Sequence, residues 1–433
     1  FGTLAQVSLS GGAPRELLEG VMWADWGPDG KSVAVIRDAG KTERLEYPIG
    51  TVLYENEPWI NRPKVSPDGR TVAFGDILDL IVVSPPGKPK TLSVEADEFA
   101  WSPSGEEIWY SRFDGTSTNL RAVTLSGADR FLARFPGNWV LHDVARDGRI
   151  LLAQTAITSE ILLLRAGESR ARNLSWLDRA NVVAVSSDGG QILFAEQGAR
   201  GGIYLRTADG APAKRLGEGD ASDLSPDGKW VLASFDSEGH EGCALLPTGP
   251  GEPRRLPETK PPISGRFLAD GARLYGMSAE EGHGRRLWIR DLDGRTVRPV
   301  TPESTFRGLV SPDGRFASAL GTDRVYRVYP IEGGGEGKEI AGLLPGEEPI
   351  QWSRDGRTLF LRASGGPGPD APLERIDRLD PWSGRRELFR DLPALDVPGG
   401  GGVGSIRISA DEKTVVYTHL QYPSELFLLE GVK

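Results

Sequence analysis

The sequence has few of the residues that build disulfide frameworks and metal centres. It contains one cysteine, Cys243, together with two methionines and four histidines in 433 residues. A single cysteine excludes an internal disulfide and leaves the redox compartment open. No apolar stretch approaches the roughly 18 residues that a membrane-spanning helix needs. We therefore expect no direct membrane span.

Positive charge is also in deficit. There are 51 lysines and arginines against 61 aspartates and glutamates, a formal net charge of −10 at pH 7. This balance argues against nucleic acid as a partner and gives no reason to expect binding to anionic lipid. The chain begins with Phe1 inside a repeat, so we expect it to be part of a longer product. Export or anchoring information would then lie outside the present sequence.

Glycine and proline are abundant by contrast, with 56 and 32 residues, and they recur at regular places. The segment from Leu224 to Gly228 reads Leu-Ser-Pro-Asp-Gly before an apolar run. Pro226 presets φ for a tight turn, Asp227 can accept hydrogen bonds from the backbone that follows, and Gly228 takes positive φ. This pattern predicts a β-hairpin. Variants end at Gly30, Gly69, Gly105, Gly148, Gly189, Gly271, Gly314 and Gly356, and a tenth has Glu412 in the glycine position.

Successive turn glycines are 36 to 43 residues apart. A period of about 40 to 45 residues with four strands per unit is typical of a β-propeller. The sequence therefore predicts an all-β chain of about ten four-stranded antiparallel blades over residues 1–433. We expect one large ring in which residues 1–20 complete the blade formed by 404–433. Two smaller rings are the alternative, because propellers typically have four to eight blades.

The expected outermost strands carry basic residues and prolines, which keep an exposed sheet edge from pairing with another molecule. Two Gly/Pro-rich stretches, from Gly365 to Pro369 and from Pro398 to Gly402, lengthen the last repeat. They predict loops that contact a partner or move.

One position of the inner strands is unusually polar. It lies two residues before the turn serine or its equivalent and is charged or polar in seven of the ten repeats. Inner strands line the central channel of a propeller, so these side chains are candidates for a channel lining. The alternative is mutual salt bridging without a ligand. The candidates are Asp25, Lys64, Asp143, Asp223, Arg266, Gln351 and Arg407.

Eleven tryptophans fall into two groups. Those on inner strands, Trp23, Trp26, Trp101 and Trp352, are expected to fill the core between blades. Those in or near connections are candidates for a surface that binds a partner. The second group comprises Trp59, Trp139, Trp176 and Trp382.

The sequence contains no catalytic or cofactor motif. It has no Gly-x-Ser-x-Gly elbow, no His-Glu-x-x-His and no paired cysteines. His240 and His283 lie in acidic loop tips of neighbouring repeats and are weak candidates for a metal site. Solvated loop tips are the simpler interpretation, and we expect no metal and no cofactor.

The Ser-Pro-Asp-Gly phrase before an apolar strand resembles the WD40-like (PD40) propeller repeat of TolB and of prolyl oligopeptidases. A closer resemblance is to the propeller region of acidobacterial-type serine/threonine protein kinases. It is carried by Ala13 to Glu19, Arg44 to Glu55, Leu141 to Arg149, Leu174 to Asp178 and Leu246 to Arg254. The kinase motifs themselves are absent, so kinase activity is not implied. The resemblance implies an extracytoplasmic sensing or docking module.

We therefore expect a non-catalytic propeller that binds protein partners. It would be a sensor or docking domain, or an extrinsic subunit of a membrane-associated complex on the periplasmic or cell-surface side. An enzyme of lyase or glycosidase type, or a binder of a small ligand or peptide in the channel, is the alternative.

Overall fold

The computed structural model describes residues 2–8, 10–40, 42–56, 59–77, 79–93, 95–177, 179–196, 201–237, 240–332, 335–364, 374–393 and 401–432. All regular structure in these ranges is β-strand, in forty strands and ten antiparallel sheets. In the ranges just given, no helix is long and apolar enough to cross a membrane. The chain folds as two compact units. Unit one comprises Phe1–Ala156 and Pro423–Lys433, and unit two comprises Ile157–Tyr422.

Unit one contains four sheets, numbered here in chain order. Sheet 1 has five strands, sheets 2 and 3 have four each, and sheet 4 has three. Sheet 1 is β1 (Gly2–Gln6), β2 (Arg15–Trp26), β3 (Val33–Asp38), β4 (Glu43–Glu46) and β5 (Val52–Asn56); sheet 2 is β6 (Ile60–Val65), β7 (Val72–Asp76), β8 (Asp79–Val83) and β9 (Lys90–Ser93); sheet 3 is β10 (Glu98–Trp101), β11 (Glu107–Phe113), β12 (Ser117–Thr124) and β13 (Asp129–Pro136); sheet 4 is β14 (Asn138–Val144), β15 (Ile150–Thr155) and β40 (Ser424–Leu429).

Unit two contains six four-stranded sheets. Sheet 5 is built from both ends of the unit, in the order β17-β16-β39-β38, and the others follow the chain. Sheet 5 is β16 (Thr158–Arg165), β17 (Arg172–Asn173), β38 (Gly401–Ile408) and β39 (Thr414–Gln421); sheet 6 is β18 (Ala180–Val185), β19 (Gln191–Glu196), β20 (Gly202–Thr207) and β21 (Lys214–Gly217); sheet 7 is β22 (Asp220–Leu224), β23 (Trp230–Ser237), β24 (His240–Pro247) and β25 (Arg254–Arg255); sheet 8 is β26 (Arg266–Phe267), β27 (Arg273–Ser278), β28 (Arg286–Asp291) and β29 (Val297–Pro299); sheet 9 is β30 (Phe306–Val310), β31 (Phe316–Leu320), β32 (Tyr326–Pro330) and β33 (Lys338–Glu339); sheet 10 is β34 (Glu348–Trp352), β35 (Leu359–Ser364), β36 (Glu374–Leu379) and β37 (Arg386–Leu392).

Apolar packing between consecutive sheets closes unit two on itself. Six clusters of buried side chains lie between sheets 5 and 6, 6 and 7, 7 and 8, 8 and 9, 9 and 10, and 10 and 5. Contacts between the inner strands follow the same closed order of sheets, since β38 of sheet 5 contacts both β18 of sheet 6 and β34 of sheet 10. The all-β, blade-like architecture predicted from the repeats is confirmed, and unit two is a closed propeller of six sheets.

Two details of ring closure were predicted wrongly. The six-sheet cycle of unit two corresponds to the alternative of smaller rings and not to the expected single ring. Residues 1–20 do not complete the blade of 404–433, because β1 pairs with β2 in sheet 1. Strands β38 and β39 are joined to β16 and β17, and β40 pairs with β15. The repeated turn predicts hairpins between strands that are neighbours in the sequence. It gives no signal for the pairing of strands such as β16 and β39, which lie more than 230 residues apart.

The repeated turn is stabilised by one serine hydroxyl. Ser225 donates to Oδ1 of Asp227 at 2.6 Å and accepts the backbone N–H of Trp230 at 2.9 Å. The turn is therefore closed by side chains as well as by the backbone, and its glycine has φ of 70°. The same pair of serine hydrogen bonds is made by Ser66, Ser186, Ser225, Ser311, Ser353 and Ser409.

Ser225→Ala is expected to lower the free energy of unfolding by about 1 kcal/mol, because the partly buried N–H of Trp230 loses an acceptor. Urea unfolding at pH 7 measures this change. Ser126→Ala, in an exposed turn of unit one, is the control and should have little effect. Equal midpoints for the two variants would contradict the role of this hydroxyl.

The same turns predict loss of stability in acid. The serine hydroxyl, as the largest cause, lowers the pKa of the neighbouring aspartate in five turns, those of Asp68, Asp188, Asp227, Asp355 and Asp411. A lowered folded-state pKa stabilises the fold above the unfolded pKa of about 4. That contribution disappears as pH falls through the lowered values.

We expect the urea midpoint to fall steadily below about pH 4 and the fall to be shallower in Ser225→Ala. Unfolding curves at several pH values between 7 and 2.5 measure both. An unchanged slope in the variant would show that the Asp227 carboxyl does not contribute.

Candidate functional site

Four of the predicted channel residues lie together in unit two. Asp223, Arg266, Gln351 and Arg407 come from four inner strands and line one cavity of ≈ 230 Å³. Residues Ala184 and Leu309, which hold the equivalent position in sheets 6 and 9, line the same cavity. The cavity thus receives one side chain from each of the six sheets.

The inner strands present these side chains through a local irregularity. In β22 the register shifts between Ala221 and Asp223, and in β34 it shifts between Pro349 and Gln351. β18 and β30 have comparable shifts directly before Ala184 and Leu309. A bulge bends a strand and re-aims the residue that follows it.

Most of these polar groups bind the backbone of the next inner strand. Oδ2 of Asp223 accepts the N–H of Phe267 at 2.9 Å. Gln351 donates to the carbonyl of Ile408 at 2.8 Å and accepts the N–H of Ile408 at 3.3 Å. Nε of Arg407 donates to the carbonyl of Val183 at 2.5 Å. Each bond joins two neighbouring sheets near the centre of unit two.

Burial and charge together set the ionisation of the cavity. Burial raises the pKa of Asp223, and the charges of Arg266 and Arg407 act against this increase. Burial and repulsion from Arg266 lower the pKa of Arg407 to about 9. Burial also raises the pKa of Tyr275, which pairs with Arg266 across β26 and β27. Tyr275 was not predicted from the sequence, because its site contribution depends on that cross-strand pairing.

The other three channel candidates belong to unit one. Oδ2 of Asp25 accepts the N–H of Val65 at 2.8 Å. Burial raises the pKa of Asp25, and the charge of Lys64 opposes this while that of Asp143 adds to it. Asp143 itself is exposed and accepts the N–H of Val144 at 2.9 Å. The predicted set of acids and bases is therefore divided between the units.

The four partner-surface tryptophans differ in exposure. Trp59 is 72% exposed, and Trp176 is 47% exposed with the guanidinium of Arg206 5.5 Å from its ring. Trp382 packs edge-on against Phe316 at 5.0 Å. Trp139 is half-buried between Phe135 and Phe427. Their role in binding a partner stays a prediction.

Two of the tryptophans expected in the core are not there. Trp101 and Trp352 are buried as predicted, but Trp23 and Trp26 are 43% and 49% exposed. Both lie on β2 of sheet 1, where Trp23 is the cross-strand partner of Ile36 and Trp26 is that of Val33. Cross-strand partners share a face of a sheet, so the two indoles lie on opposite faces of sheet 1, and each is partly exposed there.

Of the two weak metal candidates, His283 is the one whose side chain the structure describes. Nδ1 of His283 lies 2.9 Å from Oε1 of Glu303 in an exposed loop. The side chain of His240 lies outside the described residues, as do 365–373 and 394–400 of the two Gly/Pro-rich stretches. Across the described ranges, no group of three His, Cys, Asp or Glu residues is placed to hold a metal ion.

Sheet 4 has a feature that the sequence did not reveal. It has three strands, and its last strand, β40, carries Leu426, Phe427 and Leu428 at 68%, 38% and 55% exposure. Phe427 packs against Trp139 with ring centroids 4.9 Å apart. Leu426 and Leu428 project from the opposite face of the strand.

No protein-family model matches this chain. Among solved structures it is similar to TolB from Acinetobacter baumannii, at 16% identity and a TM-score of 0.29, over 73% of this chain and 80% of TolB. It is similar to an oligogalacturonate lyase in complex with manganese, at 14% identity and a TM-score of 0.32, over 71% of this chain and 95% of the lyase. It is also similar to a prolyl endopeptidase, at 14% identity and a TM-score of 0.35, over 83% of this chain. The chain spans 54% of that endopeptidase. The resemblance to kinase-linked propellers stays a prediction.

Gln351→Leu is expected to lower the free energy of unfolding by about 2 kcal/mol, because both backbone groups of Ile408 lose their partner. Gln351→Glu keeps an acceptor for the N–H but loses the donor, so its carboxylate should not rescue the carbonyl of Ile408. Leu309→Met, at the equivalent position of sheet 9, is a matched control without such bonds. Chemical denaturation measures all three, and equal stabilities of Gln351→Leu and the control would contradict the bridging role.

Proposed function

We propose that this chain is a non-catalytic β-propeller that acts as a protein-interaction module. The observation that carries the proposal is the edge of sheet 4 at β40. Every other sheet has four or five strands, whereas sheet 4 has three among the described residues. An open edge strand offers a row of backbone donors and acceptors to an extended segment of another chain.

The composition of β40 differs from that of the outer strand in eight of the other nine sheets, while β5 of sheet 1 likewise has no basic residue. Lysine or arginine is present in the last strand of sheets 2, 3 and 6 to 10 and in β17 of sheet 5. These charges protect an edge against pairing. β40 reads Ser-Glu-Leu-Phe-Leu-Leu and has no basic residue or proline. Such an edge favours pairing with a further strand.

The partner that suits this edge is an extended segment of another protein with apolar side chains on both faces. Its backbone would pair with β40 as a fourth strand. Its side chains would cover Leu426 and Leu428 on one face and Phe427 on the other. Fully burying such side chains contributes about 1.5 to 3 kcal/mol each, so the edge could hold a short strand firmly.

The setting follows from the resemblance of the repeats. We propose that the chain is a sensor or docking domain, or an extrinsic subunit of a membrane-associated complex, on the periplasmic or cell-surface side. Two of the channel candidates support a non-catalytic role. The carboxylates of Asp25 and Asp223 each accept a backbone N–H group of a neighbouring inner strand, so both are engaged in joining sheets.

The test begins with purification of the intact chain from native membranes and identification of stoichiometric partners. The double variant Leu426→Lys and Leu428→Lys should weaken the recovered complex at least about tenfold, since two apolar contacts are lost and lysines oppose edge pairing. Hydrogen exchange should show that the partner slows exchange of the β40 amides in the parent chain.

Leu388→Lys is the matched control, because Leu388 is 51% exposed on β37, the outer strand of sheet 10. It should leave the complex intact. Equal binding by the parent and the double variant would refute the edge as the docking site. A homodimer lost in the double variant would identify a second copy of this chain as the occupant and overturn the proposal of a different protein.

A further inference from the structure

The cavity at the centre of unit two holds more positive than negative charge. Its wall contains the guanidinium groups of Arg266 and Arg407 and one carboxylate, that of Asp223. Gln351 and Tyr275 contribute polar groups without charge at neutral pH. With the carboxylate ionised, the wall carries a net charge of about +1.

The carboxylate of Asp223 does not neutralise either arginine by direct contact. Its Oδ2 accepts the N–H of Phe267, and within the described ranges it forms no ion pair with Arg266 or Arg407, whose charges act on it only through space. The interaction between these charges acts through space and offsets only part of the cost of burial. Two guanidinium groups therefore share one indirect counter-charge.

Arg407 has unused donor capacity. Nε donates to the carbonyl of Val183 at 2.5 Å, and Nη1 donates to the carbonyl of Ile406 at 2.8 Å. In the described part of the chain, Nη2 has no hydrogen-bond acceptor. A guanidinium with one free edge is suited to a carboxylate, which it can bind with parallel hydrogen bonds.

Arg266 faces the same space from the neighbouring sheet. It is the cross-strand partner of Tyr275, and burial raises the pKa of that phenol further above its usual value near 10. Among the described residues no acidic side chain lies within ion-pair distance of Arg266. After burial, repulsion from the charge of Arg266 is the main cause that lowers the pKa of the Arg407 guanidinium. An anion between the two would remove this repulsion.

We propose that the central cavity of unit two binds a small organic monocarboxylate, whose charge is matched by Arg266 and Arg407. A monoanion balances the single excess charge, whereas a dianion would leave a buried negative charge. Leu224, Phe267 and Trp352 form apolar parts of the wall, which suit an aliphatic or aromatic body. A cavity of ≈ 230 Å³ has the volume of about seven or eight water molecules, enough for a short-chain acid.

The inference goes beyond the proposed function, because the cavity and the β40 edge belong to different units. Loss of carboxylate binding would leave docking at β40 untouched. Failure of the docking test would likewise leave the cavity unaffected. The two can be tested on the same preparation of the intact chain.

The experiment measures the unfolding temperature of the intact chain in sodium butyrate or benzoate, at constant ionic strength set with chloride. Both acids should raise the temperature in a saturable way, and butyramide should not. Arg266→Gln should weaken carboxylate binding at least about tenfold, because a charged hydrogen-bond donor is lost. Arg295→Gln, which changes an exposed arginine, should bind like the parent chain.

Two further variants keep the test decisive if Arg266→Gln does not fold. Arg266→Lys retains the charge without the planar fork and should bind with intermediate affinity. Asp223→Asn keeps an acceptor for the N–H of Phe267 and removes the negative charge, so it should bind the acids more tightly.

Three results would overturn the assignment. The first is an effect of butyrate and benzoate no larger than that of chloride. The second is equal binding by butyramide, which would indicate filling of an apolar space. The third is tighter binding of sulfate or phosphate than of the monocarboxylates, which would indicate a site for another class of anion.

Discussion

The need to cover both faces of every sheet determines the structure. The second strands of the repeats are continuous apolar runs such as Leu359-Phe360-Leu361, and all three of these residues are fully buried. A strand without alternation requires a neighbour on each side. In unit two this requirement is met by a cycle, in which sheet 5 lies against both sheet 6 and sheet 10. No sheet of that cycle is left as an end.

The cycle places the inner strands around a narrow central space. The polar position of these strands, two residues before the turn serine, follows from this geometry. Backbone groups near the centre have few hydrogen-bond partners within their own sheet, because a bulge interrupts strand pairing directly before residues such as Asp223 and Gln351. Asp223, Gln351 and Arg407 supply those partners across the sheet boundary. This position is polar because its side chains supply the hydrogen bonds that join neighbouring sheets. Backbone hydrogen bonding alone does not account for the excess of arginine, because it would not require two neighbouring guanidinium groups beside one carboxylate.

Much of the blade architecture could be predicted because it is local. The turn at Ser225 and Asp227 is encoded within a few residues, and it recurs with the same hydrogen bonds in other sheets. Alignment on that turn also selected the residues that line the cavity of unit two. Ring closure was not predictable in the same way, because the pairing of β16 with β39 joins segments far apart in sequence. The exposure of Trp23 and Trp26 depends on what covers each of the two faces of sheet 1 beside β2, and no turn signal carries that information.

The ends of unit one meet the same covering requirement by other means. On sheet 1, the outward face with Val21, Val33 and Val35 is packed by Leu4 and Leu18 from the hairpin of β1 and β2. Sheet 4 has the aromatic pair Trp139 and Phe427 on its packed face and keeps Leu426 and Leu428 exposed on β40. In eight of the other nine sheets the outer strand has lysine or arginine, which protects that edge against pairing. An apolar edge without that protection costs solubility in an isolated chain, and this cost is the physical reason for proposing that another protein supplies a strand there.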